Sequence, residues 1–261
     1  MITIGNTYNH LKRCSASYLP VESIHSRYSN AQVHSVRDVL FMWENTGSSE
    51  QVLTIRGTAN IRNVVTDALA FPVPLWCCGY RLKVHRGFYK AAKRIFEWIM
   101  TFGSYSKTKN ITVTGHSLGG AVASILALMF EDFNMSNQGT GQIYCINFGQ
   151  PKFCLDESKD AINQILGNRL LRVVNHNDLV PNVPTGLRLW PFKKTLWNYQ
   201  HTGREMLLSD SFKLFVHPVT RDHNFFSQIF VETANEHHTD QYIKSFSRLM
   251  RESGINLKNQ L

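Results

Sequence analysis

Five consecutive residues, Gly115-His116-Ser117-Leu118-Gly119, constrain this chain more than any other feature. Asn110-Ile111-Thr112-Val113-Thr114 precede them and read as a buried strand; Ala121 to Phe130 follow as an almost wholly apolar helix. A serine between two glycines at a strand-to-helix turn is the context in which its hydroxyl is lifted to the top of a sheet as a nucleophile. The glycines let the two backbones approach closely. The amides at the start of the helix favour negative charge beside the serine.

The rest of the chain supplies a sheet for such a turn. Val39-Leu40-Phe41-Met42-Trp43 and Val52-Leu53-Thr54-Ile55 flank the polar stretch 45–49 and predict a hairpin. Ala91, Ala92, Ile95, Trp98, Ile99 and Phe102 recur at helical spacing, as do Tyr242, Ile243, Phe246, Leu249 and Met250 near the end. Ile143 to Phe148 and Leu170 to Val174 are further apolar strands. Strands alternating with helices predict an α/β fold with a mostly parallel central sheet and helices on both faces.

The 261 residues, 43% apolar and without a repeat or linker, are expected to form one domain over 1–261, with 1–39 as an N-terminal extension lacking a recognisable motif. No apolar run reaches the length of a transmembrane segment, and residues 1–20 lack the apolar core of a signal peptide. The five cysteines are odd in number and lack Cys-x-x-Cys spacing, which argues against a disulfide framework and against zinc. A cytoplasmic location is favoured over a secreted mature chain. The net charge of +9 is spread along the chain, so a nucleic-acid module is not expected; anionic lipid is the alternative partner for such a surface.

A serine hydroxyl needs an imidazole to take its proton and a carboxylate to orient that imidazole. On a sheet with this elbow the acid and then the base follow the serine in the chain. Asp178 lies just beyond the strand ending near Val174, where α/β sites are built. Asp156 and Asp160 sit in a charged, helix-like stretch. For the base, His201, His217, His223, His237 and His238 all lie downstream. The amide of Leu118, next after the serine, is one expected oxyanion donor.

The chain resembles the class 3 lipases, the α/β-hydrolase family of fungal triacylglycerol lipases, feruloyl esterases and plant and bacterial acyl hydrolases. The matching pieces are Arg56-Gly57-Thr58, Val84-His85-Arg86-Gly87-Phe88, Thr114 to Gly120, Phe148-Gly149-Gln150-Pro151, Asn177 to Pro181, Tyr199-Gln200-His201-x-Gly203, and a terminal His before Tyr242. They stand in the family's order from about Leu40 onward. The resemblance implies Ser117, Asp178 and His237 as the catalytic set, because relatives of the bacterial and plant type place the histidine five residues before that tyrosine. The closer fungal spacing would select His238 instead. It also implies Thr58 as the second oxyanion donor and His201 as a structural residue near the site.

Ile61, Val64, Val65, Ala68 and Leu69 recur at helical spacing just after Thr58. By resemblance the segment 59–70 is a lid; read from its residues alone it is equally a fixed core helix. Trp190 and Trp197, among lysines between the acid and His201, suit an acyl-pocket wall, a contact with a lipid interface or an extra core flap. The implied activity is hydrolysis of acylglycerols or other lipophilic esters through an acyl-enzyme, with no metal or organic cofactor. A short-chain or feruloyl-type esterase, a phospholipase A and a non-catalytic lipid-binding protein are the alternatives.

Overall fold

Alternating strand positions bury opposite faces of one large sheet, and this decides where every helix packs. The computed structural model describes residues 2–57, 71–184, 187–189, 194–208, 215–217 and 237–252. Its strands are β1 (Gln32–Val36), β2 (Val39–Asn45), β3 (Glu50–Ile55), β4 (Pro72–Cys77), β5 (Tyr80–His85), β6 (Asn110–His116), β7 (Ile143–Phe148), β8 (Cys154–Leu155), β9 (Leu170–Asn175), β10 (Leu187–Leu189), β11 (Lys194–Leu196), β12 (Tyr199–Gln200), β13 (Arg204–Leu208) and β14 (Phe215–His217). The central sheet runs β1-β2-β3-β6-β7-β9-β13-β14, with a smaller sheet β12-β8-β5-β4 and the β10-β11 pair beside it. From β3 to β13 neighbouring strands are parallel; the pairings β1–β2, β2–β3 and β13–β14 are antiparallel.

The α-helices are α1 (Ile4–Ala16), α2 (Val21–Arg27), α3 (Arg86–Phe102), α4 (Leu118–Ser136), α5 (Lys159–Leu166) and α6 (Thr239–Glu252). On one face Ile111, Val113, Ile143 and Cys145 pack with α3 and α4. On the other, Ile146, Phe148, Leu171 and Val173 pack with Leu11 and Cys14 of α1 and with Tyr242, Phe246 and Met250 of α6. Each of these fully buried side chains contributes about 1.5–3 kcal/mol by leaving water. The fold is that of an α/β-hydrolase.

One sequence expectation changes. The apolar helix after the serine extends well beyond Phe130, over the 19 residues of α4, and by length and composition alone it could cross a membrane. Its packing says otherwise: 67% of its apolar window is buried inside the protein, as in a core helix. In β5, Leu82 and Val84 enter the core while Arg81 points to solvent.

The N-terminal stretch builds α1, α2 and β1. α1 starts at Thr3, whose side chain accepts from the Asn6 amide, and Arg13 pairs with Glu44 of β2 at 2.9 Å. It lies over the β6 face bearing Thr112, Thr114 and His116, with Cys14 3.5 Å from Thr114. Those polar strand positions gave no apolar signal, which is why nothing in the sequence announced a helix there.

Candidate active site

Four segments of the site leave the central sheet at the carboxyl end of a parallel strand: Gly57 after β3, Ser117 after β6, Gly149 after β7 and Asp178 after β9; His237 lies just before α6 and Tyr242 near its start. Ser117 closes β6 and caps α4 at φ 59°, ψ −132°. This region is costly for any residue with a side chain and marks functional strain. The turn closes because its neighbours are glycines: a Cβ on Gly115 would overlap the Gly119 backbone, and one on Gly119 would overlap the Ile55 carbonyl. The Ser117 amide donates to the Phe148 carbonyl at 2.9 Å, and the Gly120 amide to the Ser117 carbonyl at 2.9 Å. The Leu118 amide stands at the first position of α4, where an anion is favoured.

Asp178 is 3% exposed, and its oxygens are taken by three donors. Oδ1 accepts from the Val180 amide at 2.9 Å. Oδ2 accepts from the Tyr242 hydroxyl at 2.5 Å and from His237 Nδ1 at 2.8 Å. The Tyr242 hydroxyl in turn accepts from the Asn175 amide at 3.1 Å. Burial and the adjacent carboxylate push that phenol well above its ordinary pKa, so it stays a donor. The Asp178 bond fixes the His237 tautomer with the proton on Nδ1, leaving Nε2 free to accept. Ser117 Oγ and His237 Nε2 are both buried, and neither has a hydrogen-bond partner among the described residues. His238 is exposed.

Two further residues hold His237. His116 Nε2–H donates to the His237 carbonyl at 2.6 Å, and the two imidazole rings lie 4.6 Å apart. Burial first, and then His237, hold His116 well below the usual histidine pKa, so it is neutral. Its Nδ1 accepts from the Tyr18 hydroxyl at 2.9 Å, and that hydroxyl accepts from the Gly57 amide. The N-terminal segment thus reaches His237 through His116, and directly reaches Gly57 just after β3. Gly149, at φ +56°, provides the space: a Cβ there would stand 2.8 Å from Asp178 Oδ2 and 2.9 Å from His237 Cε1.

His201 donates from Nε2 to the Pro181 carbonyl at 2.6 Å, bracing the loop after Asp178, and burial with nearby Arg172 keeps it neutral. Trp197 is partly buried, its ring edge-on to that of Phe71 at 4.7 Å. Thr58, Ile61, Val64, Val65, the whole 59–70 segment and Trp190 lie outside the described residues. Sequence reasoning gave no role to Tyr18 or His116. His116 is the variable position of the serine motif, and Tyr18 lies in a stretch without a motif.

A profile of the family described as "Lipase (class 3)" matches residues 52–187, just over half of the chain. "Phospholipase A1-Igamma3, chloroplastic" of Arabidopsis thaliana is 33% identical over 144 residues, covering 50% of this chain and 27% of that protein. "Lipase" of Rhizomucor miehei is 29% identical over 185 residues, covering 67% of this chain and 47% of that one. The chain spans about a quarter to a half of the length of these curated relatives. Among solved structures, the lipase from Rhizopus microsporus var. chinensis superposes with a TM-score of 0.58 at 19% identity, over 82% of this chain and 76% of that one. With the fold, the strained serine turn and the profile match in agreement, the chain belongs to the class 3 lipase family.

Proposed function

We propose that this chain is a serine carboxylic-ester hydrolase acting on acylglycerols or other lipophilic esters. The observation that carries the reading is the chain Tyr242–Asp178–His237, which leaves an accepting Nε2 buried in the same site as the strained Ser117. Ser117 Oγ attacks the ester carbonyl while His237 Nε2 takes its proton. Asp178 orients the imidazole and stabilises the imidazolium that forms. The Leu118 amide, with Thr58 as the second donor, faces the developing oxyanion; each such donor lowers the barrier by about 3 kcal/mol. His237 returns the proton to the leaving alcohol, and water, deprotonated by the same imidazole, resolves the acyl-enzyme.

The segment 59–70 serves in this reading as the lid. The Phe71–Trp197 pair, with Phe71 59% exposed directly after that segment, suits contact with a lipid interface. A phospholipase reading is favoured by two observations: the net charge of +9 and the relatives named phospholipase A1. The test is hydrolysis of p-nitrophenyl esters from butyrate to palmitate, then of emulsified acylglycerol and of phospholipid vesicles, by the chain and by Ser117→Ala. Turnover lost in Ser117→Ala supports the proposal, and the preferred substrate separates lipase, phospholipase and short-chain esterase. A folded chain with no turnover, or turnover that survives Ser117→Ala, overturns it.

A further inference from the structure

Far from Ser117, two thiols and a carboxylate converge that ester hydrolysis does not use. Cys77 ends β4, and Cys78-Gly79 form the two-residue turn into β5, at φ +49° and +81°. Such a turn favours Asn-Gly, so a cysteine at its first position is unusual and strained. The turn changes where the side chains go. In an extended strand Cys77 and Cys78 would face opposite sides, as Trp76 and Cys77 do, at 67% and 1% exposure. The left-handed step at Cys78 instead brings the two sulfurs within 3.8 Å of each other.

Asp132 of α4 completes the group. Its Oδ1 accepts from the Cys78 amide at 2.7 Å, which fixes the carboxylate against the turn. The two Sγ atoms and a carboxylate oxygen all lie within 4.8 Å of one another. Two thiolates on one tetrahedral zinc, with bonds of about 2.3 Å, stand about 3.8 Å apart, which is the separation found here. Neighbouring Glu131 is engaged by both arms of Arg169 at 2.7 and 2.9 Å, whereas Asp132 has no cationic partner among the described residues.

We propose that Cys77, Cys78 and Asp132 form a binding site for a thiophilic divalent cation, zinc or cadmium, with the fourth position open to water. Soft thiolates select such ions over magnesium or calcium. Both sulfurs are held as thiols by burial, and the Cys77 S–H donates to the Leu128 carbonyl at 3.2 Å. Binding therefore displaces two protons: one cation, two thiols and one carboxylate give a bis-thiolate carboxylate complex of net charge −1 and two released protons. Arg169, close enough to Cys78 to favour its thiolate, offsets part of that charge. Affinity rises with pH as a result. The ion pins the tip of the β4–β5 hairpin to α4, fifteen residues or about 22 Å along the helix from Ser117.

The test is titration of the fully reduced chain with cadmium, following the ultraviolet sulfur-to-cadmium charge-transfer band and the intact mass. The expected result is one ion per chain, with two protons released per ion by calorimetry in buffers of different ionisation enthalpy. The band is lost in Cys78→Ser and kept in Cys145→Ala, whose thiol is buried elsewhere in the core. Asp132→Asn, which keeps an oxygen for the Cys78 amide, binds more weakly while its circular dichroism is unchanged. Zinc raises the Tm of the wild-type chain and leaves that of Cys78→Ser unmoved. No band at stoichiometric cadmium, or a band that persists in Cys78→Ser, overturns the proposal.

Discussion

Gly149→Ala separates backbone strain from damage to the site. The new Cβ would stand 2.8 Å from Asp178 Oδ2, 2.9 Å from His237 Cε1 and 3.0 Å from His237 Nδ1, against ordinary contacts beyond 3.4 Å. One of these groups must retreat by about half an ångström. Besides His237 itself, Asp178 is held by the Val180 amide in its own loop and by the Tyr242 hydroxyl, so the His237 ring is what moves. Misplacement of a catalytic group by about 1 Å costs about 100-fold, so kcat/KM is expected to fall about 10- to 100-fold. The positive φ adds about 1–2 kcal/mol of strain to the folded state, a Tm loss of several degrees. Gly79→Ala is the control: its φ is +81°, and a Cβ there meets nothing within 4 Å. It should lose comparable stability and keep its kcat/KM. Ester hydrolysis and thermal unfolding, measured on both variants beside wild type, give the answer. A Gly149→Ala enzyme within about threefold of wild type, or a Gly79→Ala enzyme equally impaired, would refute the reasoning.

Replacing His237 by Ala should cost about 10⁶-fold in kcat, the scale of a triad base, whereas His238→Ala should stay near wild type; the reverse order would assign the base to His238. Tyr242→Phe keeps the buried ring but removes the donor to Asp178 and the acceptor for the Asn175 amide. It should lose about 2–4 kcal/mol of stability by denaturant titration, with a fall in kcat at nearly constant KM. In Tyr18→Phe the Gly57 amide and His116 Nδ1 lose their shared partner, and kcat should fall further than stability; a pure stability loss would make Tyr18 structural only. Acid should unfold the protein. His10, lowered to about 3 by burial, and His116 and His201, also lowered mainly by burial, are neutral in the fold. Below the unfolded value of 6.5 the unfolded chain binds the extra protons, so stability is present above that pH and is lost as pH falls toward the folded values. Each group contributes about 1.4 kcal/mol per pH unit, or up to about 4 kcal/mol for the three between pH 7.5 and 5.5; a flat unfolding midpoint across that range would contradict it.

The parallel sheet, the serine turn and the place of Asp178 after β9 were legible in the sequence because they rest on local signals. Period-2 strands, period-3.6 helices and glycines between them report on a few consecutive residues, and Ser117 and Asp178 sit at the ends of such elements. The sequence alone left His201, His217, His223, His237 and His238 open, and spacing in the family left His237 and His238. Only the tertiary structure distinguishes that pair, burying His237 against an aspartate 59 positions away while His238 faces solvent. The same holds for Tyr18, which meets His116 across 98 positions, and for Asp132, which meets the Cys77-Cys78 turn across 54. A hydrogen bond between distant segments leaves no periodic trace in either one. It exists because strand order and helix packing bring the two backbones together, and that order is fixed by the burial of the whole core.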